Sequence, residues 1–351
     1  MKKSIILIFI LSVVASAQSG GPYVITKSVI SSGGGKSTGG SFTLDGSFGQ
    51  PAAGNSNGGS FALNSGFWSG GGASTPVTRT PFDYDGDGRS DFSVRRPSTG
   101  LWYILNAAGY RVMEWGVSSD FVVPADYDGD GKTDVAVFRP STGTWFLFNS
   151  ASQTFSQSNW GAPGDIPAPA DHDGDHKADL VVFRPSTGTW YRKMSADNSL
   201  ATTGFGVAGD KPVVGDFDGD GKADIAVFRP SDSNWYILKT GVGFFIQTWG
   251  QSGDIQAPAD YDGDGKTDLA IFRPSTGQWY RFLSTSGISV SSWGVVGDIP
   301  VPADYDGDGK ADIAIFRPSN GTWYVIGSTN GIYINPFGTS EDIPTQSSFI
   351  Y

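Results

Sequence analysis

A nine-residue aspartate pattern, D-x-D-G-D-[GH]-[KR]-x-D, occurs six times at intervals of 43 to 45 residues, and the same succession of apolar runs and turns follows each copy. Repetition at about 20 to 50 residues decides a fold before any local reading does, because each unit is one supersecondary element that must bury its apolar faces against its neighbours. The sixth unit shows the plan. Residues 299–303 lead into the loop, residues 312–316 form an apolar run rich in β-branched side chains, and Arg317-Pro318-Ser319-Asn320-Gly321 is a turn. Residues 322–326, a Gly-Ser-Thr-Asn-Gly turn and residues 332–335 complete it. Four short strands in about 44 residues is the size of one β-propeller blade. The predicted class is therefore all-β, a propeller of six four-stranded repeats. With 50 glycines and 20 prolines among 351 residues, the composition suits short strands and tight turns rather than helices.

The aspartates themselves read as metal ligands. Position 1 of the loops is Asp83, Asp126, Asp171, Asp216, Asp260 and Asp304, and position 3 is Asp85, Asp128, Asp173, Asp218, Asp262 and Asp306. Position 5 is Asp87, Asp130, Asp175, Asp220, Asp264 and Asp308, and position 9 is Asp91, Asp134, Asp179, Asp224, Asp268 and Asp312. Carboxylates at positions 1, 3, 5 and 9, with a backbone carbonyl at position 7, would converge as an all-oxygen shell for a hard cation. A flexible loop with this many carboxylates favours Ca2+ over Mg2+, which demands a small octahedron and keeps its waters. Zinc and copper are disfavoured, since no cysteine is present and the two histidines are not at ligand positions. About six structural sites are expected. The third loop departs from pattern: His176 replaces the position-6 glycine and His172 the usual aromatic, so that site should form but bind more weakly.

Composition bounds the rest. Lys2 and Lys3, an apolar run over residues 5–14 and Ala15-Ser16-Ala17 read as a signal peptide over residues 1–17, implying a protein exported and soluble, at the cell surface or beyond, without membrane insertion. Cysteine-free, such a protein must draw stability from its core or from metal. Loss of Lys2 and Lys3 takes the formal charge from -11 to -13, and six divalent cations would bring it to about -1, so the acidity is local and metal-compensable. Nucleic acid is excluded as a partner for want of a basic face.

Residues 18–70 form a Gly/Ser-rich β segment with strand-like runs at 23–30, 41–48 and 60–68, joined by a linker over 71–76 to the repeats at 77–351. The chain ends one strand into a seventh unit, with Ser348 where the next loop aspartate would fall. Three strands plus one suggest a seventh, metal-free blade closed by the C-terminal strand. The alternative is six blades with a separate small N-terminal β module.

The units resemble FG-GAP (VCBS-type) repeats, the blades of integrin α-subunit propellers and of many exported bacterial proteins. The resemblance rests on Trp160-Gly161-Ala162-Pro163-Gly164-Asp165 ahead of the Asp171 loop, on Phe205-Gly206 and Phe337-Gly338, and on Trp115, Trp249 and Trp293, each followed by glycine. It covers residues 77–351 and implies that the bound ions are structural.

Trp102, Trp145, Trp190, Trp235, Trp279 and Trp323 recur after the turn and read as inter-blade core rather than sugar platforms. Arg96, Arg139, Arg184, Arg229, Arg273 and Arg317 recur before proline, and Asp120, Asp165, Asp210, Asp254, Asp298 and Asp342 before the next blade, as for inter-blade ion pairs. No nucleophile elbow or Ser-His arrangement is present, and Gly35-Lys36-Ser37 lacks the glycine a phosphate loop needs. The expected function is therefore non-enzymatic: a binding or adhesion module for an extracellular glycan or protein. The alternatives are a polysaccharide-acting hydrolase or lyase on the same scaffold, with no residue pair singled out, and a structural surface or matrix component.

Overall fold

In a computed structural model of the chain, the described residues are 80–347 together with four short strands between residues 35 and 64. The chain divides into two compact units, Met1–Pro76 and Val77–Tyr351. In the first, Gly35–Gly39 pairs antiparallel with Phe42–Gly46, and Asn55–Gly58 with Phe61–Asn64. The leader at residues 1–17, the run at 23–30, the linker at 71–76 and Ser348 lie outside the described residues.

The second unit is a propeller of six four-stranded antiparallel sheets. Blade 2 represents the plan, with Phe121–Val122 innermost, then Val135–Arg139, Thr144–Asn149 and Thr154–Asn159 outermost. Blades 3, 4, 5 and 6 repeat it from Ile166–Pro167, Lys211–Val213, Ile255–Gln256 and Ile299–Pro300 outward. Each strand carries the pattern its place demands. The second strand is buried on both faces, as in Leu269–Arg273, and so is continuously apolar. The outermost, as in Gly287–Ser292, alternates with one face in water.

Blade 1 is assembled from both ends of the repeat array. Its second, third and fourth strands are Phe92–Arg96, Leu101–Asn106 and Gly109–Glu114, and its innermost strand is Ile343–Pro344. Ile343 pairs with Arg95 and Pro344 with Val94. The seventh-blade expectation is therefore wrong: the C-terminal strand closes a six-bladed ring by completing blade 1 rather than joining the N-terminal strands. The reason is local. Ile343–Pro344 pairs along the inner edge of Phe92–Arg96, the place taken in blades 2 to 6 by the strand that precedes each blade's own loop. The seam is polar as well as paired. Thr345 Oγ1 bonds the Ser93 and Tyr84 hydroxyls, and Gln346 Nε2 donates to the Asp91 carbonyl.

The six repeated tryptophans are completely buried. Five pack tilted or edge-on against the phenylalanine of the neighbouring strand, with ring centroids 5.2 to 5.6 Å apart. Each indole N–H donates to a carbonyl in the outgoing connection, as Trp145 does to Trp160 O at 2.7 Å. The turn glycines are required there: a Cβ on Gly188, at φ +61, would lie 2.1 Å from Gly206 O.

The repeated arginines do form ion pairs, but not between one blade and the next. Each grips the aspartate immediately ahead of its own blade's inner strand, as in Arg184 Nε and Nη2 to Asp165 at 2.7 and 2.9 Å. The fork is bidentate and partly buried, the geometry in which such pairs count most. It pins the incoming connection to the blade it starts. In blade 1 the partner is Asp342, at 2.8 and 3.0 Å from Arg96. No helix of the described residues is long and apolar enough to cross a membrane.

Removal of residues 342–351 takes away both the inner strand of blade 1 and the partner of Arg96. The melting temperature is expected to fall by roughly 5 to 10 °C, the effect of a few kcal/mol in a domain of this size. A peptide of residues 342–351 added in trans should restore part of the loss, and an unchanged melt of the truncated chain would contradict this account of closure.

Candidate metal centre

Each aspartate loop joins the innermost strand of a blade to the second, and in blade 1 it precedes the second strand. The position-1 aspartate folds the loop around itself: Asp126 accepts Gly129 N–H on Oδ1 at 2.6 Å and Gly131 N–H on Oδ2 at 2.9 Å. Both glycines sit at positive φ, +85 and +86. His176 takes the same region at φ +70, so the third loop keeps its turn without the glycine. The position-9 aspartate is buried at the start of the second strand. Asp134 accepts Tyr127 N–H on Oδ2 at 2.8 Å and Ser150 N–H on Oδ1 at 2.6 Å.

The structure brings positions 1, 3 and 9 together. In Asp83/Asp85/Asp91, Asp126/Asp128/Asp134, Asp171/Asp173/Asp179, Asp216/Asp218/Asp224 and Asp260/Asp262/Asp268, one carboxylate oxygen from each residue lies within 4.8 Å of the other two, and a sixth cluster follows the same rule. In the sixth loop Asp304 and Asp312 make the same backbone contacts, to Gly307 and Gly309 and to Tyr305 and Ser328. The position-5 carboxylate is tied differently. Asp130 Oδ1 accepts Lys132 N–H and the Ser150 hydroxyl, and Asp175, Asp220, Asp264 and Asp308 are bonded likewise to Ser195, Thr240, Ser284 and Ser328.

Those hydroxyl residues escaped the sequence reading. They lie 20 residues past position 5, in the turn between the third and fourth strands. The recurring small polar residue after the third strand was the available signal, broken in blade 1 by Ala107. The position-3 carboxylate reaches the same turn, as Asp128 Oδ2 does to Ala151 N–H at 3.0 Å.

The loops also bond to one another. The position-8 N–H of each donates to the position-1 carbonyl of the loop before it: Thr133 to Asp83, Ala178 to Asp126, Ala223 to Asp171, Thr267 to Asp216, Ala311 to Asp260, and Ser90 to Asp304. All six bonds are 2.6 to 2.7 Å long, and the series closes on itself. The position-7 cation follows the same direction. Lys132 Nζ donates to Asp85 O at 2.8 Å, and Arg89 lies over Gly307 across the seam.

Electrostatically the loops are poised for a cation. Burial pushes the Asp134, Asp179, Asp268 and Asp312 carboxyls up to about 6 and Asp91 up to about 8, with neighbouring loop carboxylates adding to the rise. Oδ1 of Asp262 and of Asp306 is buried without a hydrogen-bond partner. An orphaned buried carboxylate oxygen beside two others is the arrangement a hard divalent ion would satisfy, and an all-oxygen set fits an ion of the calcium type.

A profile described as FG-GAP-like repeat matches residues 126–182, 171–227 and 260–315. The chain carries FG-GAP-like repeats. No curated protein matches it in sequence. Among solved structures, this repeat protein is similar to a streptogramin B lyase at TM-score 0.51 and 11% identity, over 76% of this chain and 86% of the other. It is also similar to the virginiamycin B lyase from Staphylococcus aureus (0.49, 9%, 76% and 87%) and to BBS1N in complex with ARL6DN (0.45, 12%, 75% and 82%). At these identities the likeness to the first is one of fold alone.

Because the buried aspartates prefer their protonated form in the fold, they favour the metal-free folded state at pH 4 and lose that contribution as pH rises through about 6, and through about 8 for Asp91. The melting temperature of chelator-treated protein should fall as pH rises from 5 to 8, and saturating Ca2+ should abolish that slope while raising the melt. Asp134→Asn should give a smaller loss than full chelation. Identical melts with and without chelator at pH 7.5 would contradict the metal assignment.

Proposed function

We propose that this protein is an exported, calcium-stabilised binding or adhesion module recognising a glycan or a protein outside the cell. The supporting observation is where its apolar surface lies. The conserved polar residues of each repeat unit are used up internally, by the arginine–aspartate forks and by the loops. Most of the exposed large apolar side chains of the described residues sit instead on the outermost strands: Tyr110 and Val112, Phe155, Leu200, Phe244 to Ile246, Ile288 and Val290, Ile332 and Ile334. These positions also differ most from blade to blade. Variable, exposed apolar residues on a rigid scaffold are what a recognition surface needs.

Calcium in this reading is structural, filling about six loops, and carries no chemistry. The reading is non-enzymatic because near-identical blades multiply one surface, whereas catalysis requires one blade to be set apart by a reactive group. Export is supported by the leader pattern at residues 1–17.

An array of glycans and extracellular matrix proteins, probed with calcium-loaded chain and again with chelated chain, tests the proposal. Calcium-dependent capture of at least one ligand class is expected. Silence on every ligand, with the protein folded, would overturn it in favour of a purely structural role.

A further inference from the structure

The junction between blades 1 and 2 breaks the repeat in two places. Five blades carry tyrosine beneath the repeated arginine: Tyr103, Tyr191, Tyr236, Tyr280 and Tyr324, where blade 2 has Phe146. The tyrosine hydroxyls are engaged: Arg96 Nη1 donates to Tyr103 at 3.1 Å, Tyr236 donates to Asp232 at 2.8 Å, and Asn320 donates to Tyr324 at 3.0 Å. Phe146 offers nothing of the kind. Arg139 stacks on its ring at 4.4 Å and spends Nε and Nη2 on Asp120, as the arginines of blades 3 to 6 do on their own aspartates, which leaves Nη1 to face the cleft.

The second break lies under the connection. Arg95 stands where blades 2 to 6 place the core phenylalanine, and it donates to the carbonyls of Val117 and Asp120. This braces the segment that follows Trp115-Gly116. Between these elements is an open cavity of about 310 Å³, lined by Trp115, Gly116, Arg139, Phe146 and Phe155. Trp115 is held by its own N–H to Phe146 O at 3.2 Å. Phe155, 54% exposed, stands 5.5 Å from Trp115 and 6.3 Å from Phe146, centroid to centroid.

We infer that this cavity seats one neutral sugar ring of a glycan, stacked against Trp115 and Phe155 and donated a hydrogen bond by Arg139 Nη1. The inference rests on the binding reading above and names its site. Aromatic faces take the C–H face of a sugar, and a fixed donor at their edge orients its hydroxyls. The volume is at the lower end of small-ligand clefts, about 300 Å³, so a single ring is the natural occupant. Neutrality follows from charge. Arg139 is already compensated by the Asp120 fork, so no net positive charge is left in the cavity to hold an acidic ligand.

The test uses the calcium-loaded full chain in saturation-transfer NMR with the methyl glycosides of glucose, galactose, mannose, fucose and N-acetylglucosamine, and with methyl glucuronide as the acidic probe. Phe146→Tyr installs the residue of the other five blades, so it keeps the fold while offering Arg139 Nη1 the internal acceptor that Tyr103 gives Arg96 in blade 1. Phe155→Ala removes an exposed wall. At least one neutral glycoside should bind, about tenfold more weakly in both variants and unchanged in Phe244→Ala, an exposed aromatic of blade 4. Binding undiminished in Phe146→Tyr and Phe155→Ala overturns this cavity while leaving the glycan-binding reading intact. Preference for the glucuronide overturns it too. Failure of every neutral glycoside overturns the cavity, and capture of a matrix protein on the array would then still uphold the binding module.

Discussion

The structure depends on a closed cycle of six short hydrogen bonds, each from the position-8 amide of one aspartate loop to the position-1 carbonyl of the loop before it. The aspartate that supplies that carbonyl is the one whose side chain winds its own loop through two glycine amides. Local loop shape and the spacing of neighbouring blades are thus set by the same residue. A propeller has no edge to spare, since every blade leans on two others, and a loop that unwinds releases an interface as well as a ligand.

This arrangement explains why so much negative charge is tolerated near the inner strands. Positions 1, 3 and 9 crowd three carboxylates together, with position 9 buried against the second strand. Burial of uncompensated carboxylates is costly. Backbone amides offset part of that cost, and the position-7 lysines and Arg89 reach across from the next blade. The remainder is what a divalent cation would neutralise. Metal, on this account, strengthens contacts between blades through the loop that holds it, and the surface we propose for recognition on the outer strands inherits that rigidity.

Much of this was legible in the residues. Six in-register loops with four apolar runs each leave little besides a propeller, and of the position-1, -3, -5 and -9 aspartates read as converging, the structure brings positions 1, 3 and 9 together. The seam was misread because strand counting was used where pairing chemistry was decisive. Every blade arginine except one has an aspartate 19 residues before it; 19 residues before Arg96 lies Val77, and Asp342 is left over. Those two unmatched charges require each other, and joining them places the C-terminal strand in blade 1. The Ser and Thr hydroxyls that hold position 5 were harder to see, because a turn serine carries no intrinsic signal for a contact 20 residues away. Phe146 and Arg95 gain meaning only when the blades are superposed, as departures from a repeated pair.

The claim that loop occupancy and blade spacing are one event can be tested at the bonds themselves. Hydrogen exchange at the amides of Ser90, Thr133, Ala178, Ala223, Thr267 and Ala311 reports opening of the inter-loop cycle directly. With calcium bound, all six should be strongly protected, and chelation at neutral pH should accelerate all six together, faster than the core amides of the second strands. Protection that is indifferent to calcium, or that is lost at one loop without affecting its neighbours, would contradict the account.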